Sequence, residues 1–318
     1  MLSLSLRRQS KTDGKRADSI MMRKIKNRWQ IYLMMLPAVA AVVIFHYVPM
    51  YGIIIAFKNY NFRDGIFGSP WVGLENFTNL FNSYWFPIIL KNTISISLLS
   101  LILAFPFPIL FALMANEIQN ATRKRIFQTI SYAPHFISTV VLCGMLILFL
   151  NPTSGIVNHF LNAIGQESIY FIAKPNMFKW IYVISGIWQG TGWSAIIYIA
   201  ALSGVDSSLL EAAEIDGATR LQKIIHINFP VLIPTIVILF ILRCGSLLSV
   251  GYEKVFALQN SSNLSASEVI STYVYRTGLV QNDFSFSTAA GLFNSVVNST
   301  ILITANIISK KVGKIGLW

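Results

Sequence analysis

Residues 211–230 read EAAEIDGATRLQKIIHINFP, with three acidic and two basic side chains in twenty positions. On either side lie apolar runs, 178–202 and 231–250, each containing a single charged residue. A run of about 20 apolar residues, at 1.5 Å per residue, crosses a hydrocarbon core roughly 30 Å thick. The polar stretch therefore sits at a membrane surface between two spans. Four more runs of comparable length, 29–48, 88–115, 129–150 and 287–308, bring the expected count to six transmembrane helices. Composition agrees: 54% of residues are hydrophobic and 12% charged, against about 25% charged in soluble domains. The expected fold class is an all-α integral membrane protein.

Lys and Arg set the expected orientation. Nine precede Trp29, three form the run at 123–125, Arg220 and Lys223 lie in the quoted stretch, and Lys310, Lys311 and Lys314 follow the last run, which places 17 on one side. The other side holds six: Lys58, Arg63, Lys174, Lys179, Lys254 and Arg276. Excess positive charge marks the cytoplasmic face, so both termini and the quoted stretch are expected inside. The net charge of +12 follows mainly from that topology and from a basic tail meeting anionic headgroups, not from nucleic-acid binding. The expected layout is a basic cytoplasmic tail at 1–28, one transmembrane domain at 29–308 with a polar loop at 203–230, and a cytoplasmic tail at 309–318. The first apolar run is too long for a secretory signal core and is followed by HYVPMYG rather than a small-x-small cleavage pattern, so it reads as an uncleaved anchor.

Several chemistries find no support in the sequence. Cys143 and Cys244 both fall inside spans, where they pack as small apolar residues. No G-x-x-x-x-G-K-[ST] phosphate loop occurs, and His46, His135, His159 and His226 show no metal-ligand spacing; HExxH and GxSxG are absent. The chain is not expected to bind ATP, a metal or another cofactor, or to be an enzyme.

Within the polar loop, Ser208 followed by Glu211 fits a capping box, and Asp216-Gly217 reads as a helix stop because glycine accepts the left-handed conformation. Thr219 followed by Gln222 fits a second capping box, after which Leu221, Ile224 and Ile225 share one face. Pro230 stands where the fifth span should begin, a position that tolerates its missing N–H. A helix, a glycine break and an amphipathic helix are expected at the surface. By the physics of these residues alone, the segment reads as a surface connection between two spans, with Glu211 as a capping residue.

The string Glu211-Ala212-Ala213, followed by Asp216-Gly217, Ile227 and Pro230, resembles the EAA loop of permease subunits of bacterial ABC importers. The stretches YVPMYGIIIAFKNYN, WVGLENFTNLF, SYAPHFIS, GIWQGTGWSAIIYIAAL and the final GLW are similar to the branch that imports complex oligosaccharides or polysaccharide fragments. The resemblance implies a maltose-permease-like fold in a bacterial cytoplasmic membrane and alternating access coupled through Glu211, Ala212, Ala213, Asp216 and Gly217. It implies as partners a second related permease, two ATPase subunits that bind the ATP and magnesium, an extracytoplasmic solute-binding protein and the oligosaccharide itself. A secondary transporter would instead show ionisable residues for ion coupling or inverted repeats, and an integral membrane enzyme a polar catalytic cluster.

Three intramembrane residues are candidates for the substrate path. Trp188 and Gln189 lie near the expected midplane of the fourth span, suited either to stacking on a sugar ring or to packing between helices. Gly186 and Gly190 nearby form a small-xxx-small pair expected to let helices approach closely. Arg243 falls at mid-depth in the fifth run, where a charge is costly and faces a bundle interior or a water-filled cavity. It either pairs with backbone carbonyls or a partner chain, or lines the sugar path.

Overall fold

The computed structural model describes residues 28–318, so the basic tail expected at 1–28 lies outside it except for Arg28. The labels used below are α1 (Trp29–Phe57), α2 (Trp85–Asn116), α3 (Ala121–Phe136), α4 (Thr139–Phe149), α5 (Pro175–Leu202), α6 (Ser207–Ile215), α7 (Arg220–Cys244), α8 (Tyr252–Leu258) and α9 (Phe284–Gly313). Four of them, α1, α2, α7 and α9, are individually long and apolar enough to cross a membrane. The pairs α3–α4 and α5–α6 pass that test together, but they bend by 93° and 79°. The count is thus four spans, or six if each bent pair is one span. Among the described residues the one β feature outside helices is an isolated bridge between Lys58 and Trp71.

The chain divides into two units at Ile54. In the first, residues Trp29–Met50 bury no side chain. The second, Ile55–Trp318, contains the packed bundle.

Two of the expected spans differ from their sequence outlines. The third run, 129–150, is not one straight helix. After Tyr132 the backbone tightens into a 3₁₀ turn around Pro134, and Ser138 then caps a new helix by accepting the Val141 N–H at 3.3 Å. Residues 139–149 alone reach only about 16 Å. The fifth run, 231–250, is displaced toward the N-terminus: α7 starts at Arg220, inside the polar loop, and stops at Cys244. Gly245 packs where a Cβ would lie 2.7 Å from Leu302 Cδ1, and the Leu248 N–H donates to Asn298 Oδ1 at 2.9 Å. Irregular backbone at membrane depth persists only where protein satisfies it, and Asn298 on α9 does so here.

Proline shapes three of the long helices in one way. The π-helical turns Val43–Tyr47, Ser100–Ala104 and Ile224–Asn228 each end two residues before a proline, at Pro49, Pro106 and Pro230. A helical proline lacks an N–H and clashes with the carbonyl four residues back. That carbonyl belongs to Phe45, Ile102 or His226, in each case the middle residue of the widened turn. Widening the ladder accommodates the ring without ending the helix.

Packing concentrates at two levels of the bundle. Ile109, Ala112 and Leu113 of α2 meet Ala195, Tyr198 and Leu202 of α5 and Leu232 of α7. A second cluster joins Ile96 of α2, Cys143 of α4, Phe178 of α5 and Val255 and Leu258 of α8. Together, α2 and α5 contribute to both, and a cavity opens between the two levels.

Candidate functional site

At the polar loop, α6 begins at an Asp206 cap, whose carboxylate accepts the Ser208 N–H at 2.9 Å. The expected Ser208–Glu211 box does not form: a carboxylate two residues ahead of Ser208 takes the cap and favours the positive helix end. That backbone hydrogen bond holds the Asp206 carboxyl below its ordinary pKa. α6 ends as the glycine suggested, with Gly217 at φ +77°, its N–H on the Glu214 carbonyl at 3.0 Å and the Ala218 N–H on the Ala213 carbonyl at 2.8 Å. These two bonds define a Schellman stop. Thr219 and Gln222 then close the second capping box, the Thr219 N–H donating to Gln222 Oε1 at 2.7 Å.

The arms are tied by Lys223 and Glu214 at 2.6 Å, which lowers the Glu214 pKa, first through the hydrogen bond and then through the opposite charge. Ala213 is half-buried, whereas Glu211, Ala212, Asp216 and Gly217 are exposed. The Glu211 carboxylate has no hydrogen-bond or ion-pair partner among the described residues. Leu209 and Ile215 stand beside it, 56% and 87% exposed. The α7 start departs from the expected separate amphipathic helix. Ile224 packs inward with Leu232, while Leu221 and Ile225 remain exposed.

The cavity between the two packing levels is about 640 Å³, lined by Ser100 and Pro108 of α2, Gly186, Gly190 and Trp193 of α5, and Arg243 of α7. Small-molecule sites span roughly 300–1,000 Å³. Arg243 occupies the last turn of α7, where carbonyl dipoles favour a cation. It pairs with no carboxylate among the described residues.

The three path candidates do not converge. Trp188 lies on another face of α5, in an apolar groove with Met145, Leu146 and Ile184. Gln189 donates to the Ile137 carbonyl at 2.8 Å, satisfying the break between α3 and α4. Trp193, not singled out in the sequence, shares the cavity with Arg243 and stacks on His135 at 4.5 Å with ring planes 6° apart. Its signal was periodic: positions 186, 190, 193 and 197 fall at i, i+4, i+7 and i+11, one helix face. The close helix approach is also elsewhere. A Cβ on Gly190 would meet nothing within 4 Å, and on Gly186 only Lys254 Nζ at 3.4 Å, whereas on Gly192 it would collide with the Ser131 carbonyl.

Residues 104–314 match the family described as binding-protein-dependent transport system inner membrane component. The polygalacturonan/rhamnogalacturonan transport system permease protein YteP of Bacillus subtilis (strain 168) is 41% identical over 295 residues, covering 93% of this chain and 92% of that protein. Protein LplB of the same organism is 39% identical over 293 residues, covering 92% of each. A solved chain of a bacterial ABC transporter involved in the import of the acidic polysaccharide alginate superposes with a TM-score of 0.85 at 41% identity, covering 92% of this chain and 99% of that one. The chain belongs to the inner membrane components of binding-protein-dependent transport systems, and it is a permease subunit of an ABC importer.

Proposed function

We propose that this permease carries an acidic oligosaccharide or polysaccharide fragment across a bacterial cytoplasmic membrane by alternating access, with both termini and the 203–230 loop on the cytoplasmic side. The observation that carries the reading is Arg243, a cation without a carboxylate partner among the described residues, in the wall of a cavity of about 640 Å³. A guanidinium in a low-dielectric cavity recognises a sugar carboxylate through charge-assisted, two-pronged hydrogen bonds. The names of the relatives support the acidic class: one includes polygalacturonan and another acidic alginate.

Two ATPase subunits bind ATP and magnesium and receive α6, whose Glu211, Ala212, Asp216 and Gly217 face outward, with Ala213 packing the helix against the loop. A second, related permease closes the cavity, and an extracytoplasmic binding protein delivers the glycan; one solved relative is in complex with an alginate pentasaccharide-bound periplasmic protein. Trp188 and Gln189 act here through packing and through the Ile137 bond, and Arg243 contacts the substrate.

The test is Arg243→Gln in the purified importer reconstituted in vesicles. Recovery of the whole complex is expected to match the wild type, while uptake of trigalacturonate falls at least tenfold, the effect of losing about 1.4 kcal/mol of interaction. Unchanged uptake removes Arg243 from the path. Loss of the complex assigns it to holding the subunits together.

A further inference from the structure

A second cation lies beside the same cavity. Lys254, on α8, is 8% exposed, and no carboxylate pairs with it among the described residues. Its ammonium donates to the Tyr182 carbonyl at 2.9 Å and stands 4.8 Å from the centre of the Tyr182 ring. A buried ammonium with three donors and one carbonyl acceptor is under-satisfied, and a ring face offsets only part of the lost hydration. Lys and Arg are seldom buried without a countercharge, so this arrangement calls for an anion from elsewhere.

The surroundings indicate where it would come from. Lys254 Nζ is 3.4 Å from the point a Cβ on Gly186 would occupy, and Gly186 belongs to the cavity wall. The ammonium therefore lies one backbone's thickness behind that wall, at the position where α5 has no side chain. Tyr182, one turn before Gly186, lines a small pocket with Arg243, Ser246 and Ser249. The tyrosine is flanked by both cations. Its hydroxyl accepts the Gly251 N–H at 3.2 Å, which fixes the start of α8 and with it the root of the lysine.

We propose that Lys254 is a specificity-determining residue of the translocation path. Its ammonium exchanges the Tyr182 carbonyl for a carboxylate of the glycan across the Gly186 gap, so that Lys254 and Arg243 together select polyanionic chains. The inference rests on the acidic-glycan reading above and adds a second charge to it. The flexible four-carbon stem and three rotatable donors of lysine allow the ammonium to change partners.

The experiment compares uptake of trigalacturonate with uptake of its methyl ester, which keeps the sugar backbone and removes the charge, by vesicles holding the complete importer. In the wild type the acid is expected to be preferred. In Lys254→Met, which keeps length and apolar bulk, the acid-to-ester uptake ratio is expected to fall at least tenfold. A ratio equal to the wild type's overturns the role of Lys254 and leaves the acidic-glycan reading intact. Preference for the ester in the wild type overturns both. If Lys254→Met does not assemble, acetylation of the wild-type importer with an amine-reactive reagent, read by mass spectrometry, decides the matter. Trigalacturonate is expected to slow modification of Lys254 severalfold and the ester to leave it unchanged; absence of that protection overturns the proposal.

Discussion

Two glycines on α5, two residues apart, should respond to alanine with opposite signs. A Cβ at Gly192 would overlap the Ser131 carbonyl oxygen and come within 2.6 Å of its carbonyl carbon. Both partners are backbone, and Ser131 is further fixed by its hydroxyl bond to the Phe127 carbonyl at 2.8 Å. Relief requires α3 to move about 1 Å to restore ordinary contact. Overpacking of this kind costs about 1–3 kcal/mol, and collision with main chain argues for the upper half. Alanine regains about 1 kcal/mol of helix propensity over glycine, leaving Gly192→Ala about 1–2 kcal/mol less stable than the wild type. At Gly190 the Cβ meets nothing within 4 Å, so only the propensity remains and Gly190→Ala should be neutral to about 1 kcal/mol more stable. The separation between the variants is about 2 kcal/mol, roughly thirtyfold in the unfolding equilibrium. Steric-trap or detergent unfolding of the purified permease measures it. Equal stabilities, or a more stable Gly192→Ala, would refute the close approach of α5 to α3.

Glu211→Lys should leave membrane insertion unchanged and reduce co-purified ATPase subunits more than tenfold, since it reverses an exposed charge on the helix proposed to dock; undiminished co-purification would make the loop a connector. The Glu214–Lys223 pair should respond to pH with a definite sign: its folded carboxyl pKa is lowered, so its contribution is present above the ordinary glutamate value and lost as pH falls through the lowered one. Hydrogen exchange of residues 214–223 should therefore be flat from pH 5 to 8 after correction for intrinsic rates, with protection lost only at more acidic pH. For topology, a membrane-impermeant thiol reagent should label Gln166→Cys in intact cells and Ala121→Cys only after permeabilisation, both positions being exposed and the native Cys143 and Cys244 buried; labelling of Ala121→Cys from outside would invert the orientation.

Local chemistry made the loop readable. Gly217 at φ +77° and the Thr219–Gln222 box depend on a few adjacent residues whose conformational preferences are strong. The cap at Asp206 was missed because two capping residues compete within three positions, and the carboxylate took the role. Hydropathy located the apolar segments but not their breaks. Apolar content measures transfer into lipid, and it is the same for a straight helix and for one that turns by 93° at Ile137. What marks the breaks is the supply of partners for freed backbone groups, namely Ser138, Gln189 and Asn298. Two of those partners are distant in sequence, Gln189 by 52 residues from Ile137 and Asn298 by 50 from Leu248, so only the fold brings them together. The cavity was half legible for the same reason. A charge inside an apolar run marked Arg243, but the mid-depth expected from the 231–250 outline is not its place in α7, whose last turn it occupies, and the choice of Trp193 over Trp188 depends on which face of α5 turns toward α7.

Under the proposed function, this chain forms the path of an ATP-driven glycan importer. Vesicles containing the permease with its partner permease and ATPases, loaded with ATP and magnesium, should accumulate labelled trigalacturonate only when the binding protein is present outside, and should stop when ATP is replaced by a non-hydrolysable analogue. Accumulation without ATP, driven by a proton or sodium gradient, would contradict the assignment.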